Sequence, residues 1–255
     1  MRSRLRRGIA AAALAGLFLG GTAYALTAEI GEMVVSATAT LQPRELPAKG
    51  NAPVTLSNVT RIRTKDGSPV PILKTLLFQL DKHGTIDTKG LPVCTAAKLT
   101  GATPSQARQR CADALVGKGL GKARVELPGK AAVTITSPLS FFNGPPSSGK
   151  PTLFAHAYET VPVPKALVVP ITVERVKHGR YGYRAEIEIP EIAEGFGAPT
   201  LAEAELGRTW KRGGKTVGYL NAHCTGGRLQ VYGTLSFSNG DFFPATLTSP
   251  CHTPG

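Results

Sequence analysis

The chain has 255 residues, 42% of them hydrophobic and 18% charged, with a formal net charge of +13. Ordinary apolar content combined with modest charge excludes intrinsic disorder, which needs few apolar residues and many charges. The 29 Gly and 20 Pro residues are a heavy load of helix breakers, so an all-β fold is the first expectation.

Residues 1–25 read as a secretory signal peptide. Arg2, Arg4, Arg6 and Arg7 form a positive n-region, residues 8–20 are almost wholly apolar, and Ala23-Tyr24-Ala25 matches the small-x-small cleavage pattern. The residues after Arg6-Arg7 do not continue a twin-arginine signal. An uncleaved membrane anchor is the alternative, since the apolar stretch from Gly8 to Leu26 is long enough to span. The expected location is secreted or extracytoplasmic. Cleavage would remove four of the basic charges and leave a moderate excess on the folded body.

Residues 33–41, 54–64 and 73–80 are strand candidates. The intervening segment carries Pro43, Pro47 and Pro53 and suits an extended edge. Arg61, Arg63 and Lys65 alternate along the second candidate and so share one face. Next, Thr103 is a fair N-cap with Pro104 at the favoured first position, predicting one short helix around residues 104–115. Cys94 and Cys111 flank it, and a bridge between them would staple the helix to the preceding segment. Gly117, Gly119 and Gly121 lack the dinucleotide-binding context and read as a flexible turn.

Strand candidates resume at residues 123–127 and 132–136. Residues 143–151 are rich in Pro, Ser and Gly and contain Gly144-Pro-Pro-Ser-Ser-Gly149-Lys150, a P-loop lookalike. Pro151 stands where magnesium binding needs Ser or Thr, and the β-like residues 152–158 deny the phosphate-cradling helix. Within that strand, His156 shares a face with Phe154 and Tyr158, which marks a structural histidine. None of His83, His156, His178, His223 and His252 has metal-ligand spacing, and no G-x-S-x-G exists.

After a candidate at 168–176, residues 181–189 alternate: Tyr181, Tyr183, Ala185, Ile187 and Ile189 on one face, Arg184, Glu186 and Glu188 on the other. Glu186-Ile187-Glu188-Ile189-Pro190-Glu191 resembles the E-I-D-I-x-E signature of sandwich-fold endoglycanases that act on β-glucans. That resemblance implies Glu186 as nucleophile, Glu188 as assisting carboxylate and Glu191 as proton donor. The spacing suits retaining hydrolysis, which needs two nearby carboxyls. Glu188 replaces the family's Asp, however, and Pro190 interrupts the strand. The alternative is a solvated strand face.

Arg208, Lys211, Arg212 and Lys215 then cluster around Trp210 and the Gly213-Gly214 turn. This tip is a candidate site for anionic wall polymers or acidic lipid head groups. Nucleic acid fits poorly, because aromatic residues hardly interleave the bases.

Residues 217–223, 228–238 and 241–248 read as three successive strands. Asn239-Gly240 joins the last two and is a strong hairpin signal. A meander of these three would bring Cys224 and Cys251 to one edge, so they are paired. Four cysteines in an exported chain favour disulfides. A metal site is disfavoured: His223 and His252 adjoin Cys224 and Cys251, but adjacent strand residues point to opposite faces, and no C-x-x-C exists.

Together these elements predict an all-β, jelly-roll-like two-sheet sandwich spanning residues 26–255 as one disulfide-stapled domain, with residues 143–151 as the place where it would divide if there were two. The segments Gly90-Leu-Pro-Val-Cys94, Cys111-Ala-Asp-Ala-Leu-Val-Gly117, Gly218-Tyr-Leu-Asn-Ala-His-Cys224 and Pro250-Cys251 resemble uncharacterised exported four-cysteine proteins of high-GC bacteria. The resemblance implies export and disulfides, and no activity. The expected protein is therefore a non-catalytic, cofactor-free binding or envelope-associated sandwich, with a glycan-cleaving enzyme built on Glu186 and Glu191 as the rival.

Overall fold

A computed structural model describes residues 25–255. The proposed signal segment therefore lies outside the described residues, apart from Ala25. Among the described residues, seventeen strands occur in chain order. The first five are β1 (Ala25–Ile30), β2 (Met33–Gln42), β3 (Ala52–Thr64), β4 (Leu73–Asp81) and β5 (Gly84–Ile86). Two short helices follow, α1 (Ala96–Leu99) and α2 (Pro104–Arg110). Then come β6 (Leu115–Val125), β7 (Val133–Ser147), β8 (Lys150–Glu159), β9 (Lys165–Thr172), β10 (Glu174–Arg175) and β11 (Tyr181–Glu188). The chain closes with β12 (Gly197–Leu206), β13 (Thr209–Arg212), β14 (Lys215–Gly218), β15 (Leu220–Ala222), β16 (Arg228–Phe237) and β17 (Phe242–Pro250).

These form an all-β sandwich. The larger sheet runs β1-β2-β3-β12-β6-β7-β8-β9, with β15 added to β3 and β5 added to β15; the smaller runs β10-β11-β4-β16-β17. Every strand pairing is antiparallel. The larger sheet curls round the smaller, so that β2 approaches β17 at one side and β9 approaches β11 at the other.

Period-two alternation drives the burial. In β11, Tyr183, Ala185 and Ile187 are buried while Arg184, Glu186 and Glu188 are exposed. The main core joins these to Val54, Phe141, Leu153, Ile171, Tyr219, Leu220 and Leu229, and a second cluster gathers Met33, Val35, Ile62, Leu235, Phe237 and Phe243. A third cluster lies on the other face of the large sheet. There α1 and α2 cover Phe142 and Phe154, and Cys94, Leu99, Ala102, Ala107 and Cys111 complete the packing. Phe142 is fully buried, so truncation to Ala would cost about 3–5 kcal/mol.

Several expectations need correction. The predicted helix stops at Arg110, followed by a 3-10 turn, and α1 precedes it. Its start is as read: Thr103 caps the Gln106 amide and Gln106 returns the bond to Thr103. Gly117, Gly119 and Gly121 are not a flexible turn but lie inside β6. Gly117 and Gly119 are there because β12 passes too close for side chains. A Cβ at Gly117 would meet Glu205 O at 2.5 Å, and one at Gly119 would meet Glu203 O at 2.0 Å. Residues 143–151 are a hairpin rather than a long loop: β7 and β8 run into each other through Ser148 and Gly149, both with positive φ. No helix follows Lys150, so the phosphate-loop geometry is absent there.

Both disulfides form as paired in the sequence reading, Cys94–Cys111 and Cys224–Cys251, with Cα separations of 5.5 and 5.8 Å. The reason differs for the second. β15 does not pair with β16 in a meander; it joins β3 and β5 in the larger sheet, while β16 and β17 form a hairpin in the smaller one. The Cys224–Cys251 bridge therefore ties the two sheets together.

Candidate anion-binding pole

Strand direction divides the connections between two ends of the sandwich. One end carries residues 31–32, 65–72, 126–132, 160–164, 189–196 and 238–241. Its loops hold Glu32, Asp66, Glu126, Glu191, Glu194 and Asp241 against Lys65 and Lys130, so it is acidic. Five exposed large apolar side chains also lie in or beside these loops: Ile30, Val133, Val163, Phe196 and Phe242.

The other end carries residues 43–51, 82–83, 176–180, 207–219 and 223–227, with the excursion 87–114 folded against its flank. Bases dominate here. Arg44, Lys49, Lys82, Lys89, Lys177, Arg180, Arg208, Lys211, Arg212 and Lys215 outnumber Glu45, Asp81, Asp87 and Asp113, and the flanking helices add Lys98, Arg108 and Arg110. The sequence reading found four of these. The rest went unseen because they come from loops far apart in the chain.

Arg208, Lys211, Arg212 and Lys215 do sit on one hairpin, β13–β14, turned by Gly213 and Gly214 with φ of +56° and +76°. Two consecutive positive φ values make the tight mirror-image turn that glycine accommodates without strain. The four side chains divide by role. Arg208 Nη1 donates to the carbonyls of Ala112, Asp113 and Leu115 at 3.2, 2.6 and 3.1 Å. Arg212 grips both Asp87 carboxylate oxygens at 3.0 and 2.6 Å and also donates to Lys89 O at 2.9 Å. That guanidinium holds the Asp87 carboxyl below the usual carboxylate range. Both arginines are thus spent on clamping the hairpin to neighbouring loops. Trp210 packs against the main core and Tyr219 is fully buried behind it, where burial pushes its phenol up. Lys211 and Lys215 remain exposed; Lys211 donates to Thr216 Oγ1 at 2.7 Å.

The pattern extends across the pole. Arg180 Nη2 lies 2.8 Å from the buried Asp81 carboxylate, which also accepts the His83 and Gln230 amides. Lys49, Lys82, Lys89, Lys177 and Lys215 are exposed and make no ion pair among the described residues. Arg180, Arg208 and Arg212 build this surface, and the lysines present it. A lysine ammonium is a compact, flexible point charge suited to electrostatic contact, unlike the planar fork that recognises one phosphate bidentately.

The remaining candidates are placed elsewhere. Glu186 and Glu188 project from the exposed face of β11, and Glu186 pairs with Arg184 at 2.8 Å. Glu191 lies exposed in the loop at the acidic end. Arg61 and Arg63 are exposed on the outer face of β3, and Lys65, just beyond the strand, pairs with Glu29 at 2.7 Å. His156 is fully buried under the helical cap, its Nε2 2.9 Å from Ala102 O, and burial lowers its pKa. No group of three His, Cys, Asp or Glu side chains able to hold a metal occurs among the described residues. Between the sheets, Leu41, Val54, Leu56, Leu80, Leu220, Leu229 and Val231 enclose most of a cavity of about 40 Å³. That is room for little more than one or two waters, and its apolar lining gives them few partners. No described helix is long and apolar enough to cross a membrane. Compared with known proteins, the chain matches no family model, no curated protein and no solved structure.

Proposed function

We propose that this protein is an exported, non-catalytic binding module that docks through its basic pole onto an anionic polymer of the cell envelope. The carrying observation is the segregation of charge: exposed lysines from five separate segments converge on one end, while the acidic loops collect at the other. Such a dipolar field orients the molecule toward a polyanion and raises its encounter rate. The two disulfides support an oxidising, extracytoplasmic setting, in keeping with the Arg-led apolar segment at the start of the chain.

A polymer is favoured over a lipid surface because the basic end shows little apolar surface to insert. Val93 is the exposed large apolar residue on its flank, whereas Ile30, Val133, Val163, Phe196 and Phe242 lie at the opposite end. The test is binding to long-chain polyphosphate and to phosphatidylglycerol vesicles over a range of salt. The expected result is salt-sensitive polyphosphate binding, weakened at least tenfold in Lys82→Glu/Lys89→Glu/Lys177→Glu/Lys215→Glu and unchanged in Lys130→Glu. Equal binding by wild type and the fourfold variant would refute the assignment. Binding to vesicles alone would transfer the pole to a membrane.

A further inference from the structure

His83 and His223 are 140 residues apart in sequence, yet the β4–β5 turn and the end of β15 set them side by side. His83 Nδ1 lies 2.9 Å from His223 Nε2, with the rings edge-on at 79°. The backbone clamps the pair, since His223 N donates to His83 O at 3.1 Å and Gly84 faces Ala222 in register. The next residue, Cys224, is held by its disulfide to Cys251. Both ligand carriers are therefore fixed before anything binds.

The hydrogen-bond network assigns the tautomers. His223 Nδ1 lies 2.8 Å from Asn51 Oδ1, so it carries the proton, and Asn51 Nδ2 donates onward to Thr85 Oγ1 at 3.2 Å. This leaves His223 Nε2 as an unprotonated lone pair aimed at His83. A carbonyl oxygen orienting the far nitrogen of an imidazole is the arrangement that metal-bound histidines use.

We propose that His83 Nδ1 and His223 Nε2 form a two-imidazole site for a divalent transition-metal ion, with Cu²⁺ preferred, and that Asn51 is its positioning residue. Two nitrogens 2.9 Å apart match adjacent ligands at roughly 2.0–2.1 Å from one ion, subtending about 90°, as in tetragonal N,O coordination. Waters complete the sphere, because Asp81 is already committed to His83 N, Gln230 N and Arg180. The proton now shared between the rings leaves His83 Nδ1 to solvent, and Nε2 takes one up, so His83 stays neutral. Lys82 and Arg180 nearby repel every divalent ion alike, so imidazole affinity decides between them. Among first-row divalent ions it is highest for copper.

The test uses the full, disulfide-bonded chain titrated with Cu²⁺ and examined by pulsed EPR. The expected result is one tight equivalent whose spectrum carries modulations from two imidazoles. His83→Ala and His223→Ala should each weaken it at least tenfold, Asn51→Ala by roughly tenfold, and His178→Ala, an exposed histidine on another loop of the same end, not at all. The spectrum of the unaltered protein decides the matter even where a variant folds poorly. A single-imidazole spectrum, or His83→Ala binding as tightly as wild type, would overturn the proposal.

Discussion

Replacing Cys224 and Cys251 together with Ala tests how the two sheets are held. The bridge closes a loop with a sequence separation of 27. The chain-entropy relation then gives about 3.5 kcal/mol for its removal, or a fall of roughly 7–14 °C in melting temperature for a domain of this size. Both cysteines are at most 7% exposed, so Ala at each site leaves an apolar group in an apolar setting. Trp210 is the sole tryptophan and packs on the main core, so its fluorescence in a urea titration reports global unfolding. Replacing Cys94 and Cys111, separated by 17 residues, should cost about 3 kcal/mol by the same relation. The signature differs, however. Loss of that staple should appear first as faster hydrogen exchange over residues 96–110, because it fastens the helical cap rather than the sheets. A cost below about 1 kcal/mol for the Cys224/Cys251 pair would refute its role as the tie between sheets.

Three further outcomes follow from the same structure. Glu194 holds φ of +58° in the loop beyond β11 and is exposed, so Glu194→Gly should raise stability by about 1 kcal/mol in urea unfolding, through relief of left-handed strain. His156 is buried and its pKa is lowered, burial being the main cause. The unfolded chain therefore binds the extra proton, so stability should be full above about pH 6.5 and decline as the pH falls below it; His156→Gln, if folded, should show a flatter profile between pH 7.5 and 5. Asp87→Asn removes the carboxylate that Arg212 grips, and should speed hydrogen exchange across residues 209–218 while leaving the exchange of β16 unchanged.

Strands, turns and caps were legible because they depend on near neighbours. Alternation identified β11 and β16, Asn239-Gly240 marked the β16–β17 hairpin, and Thr103-Pro104 marked the start of α2. Gly117 and Gly119 of β6 misled, since nothing local reveals that β12, far later in the chain, passes within reach of their Cβ positions. The basic hairpin was legible as a cluster, but its chemistry was not. Sequence adjacency could not show that Arg208 and Arg212 are consumed by Ala112, Asp113, Leu115 and Asp87.

By itself, then, the sequence determined the β class, the bridge flanking the short helix and a surplus of bases, all of which follow from composition, period and spacing, whereas Cys224–Cys251 was paired through a meander that β15 does not join. Only the tertiary structure decided that β15 joins the larger sheet, that scattered lysines share one pole, and that His83 meets His223. Those facts turn on which strand ends lie at the same edge of the sandwich. Strand order sets that through long-range pairing, and local chemistry carries no record of it.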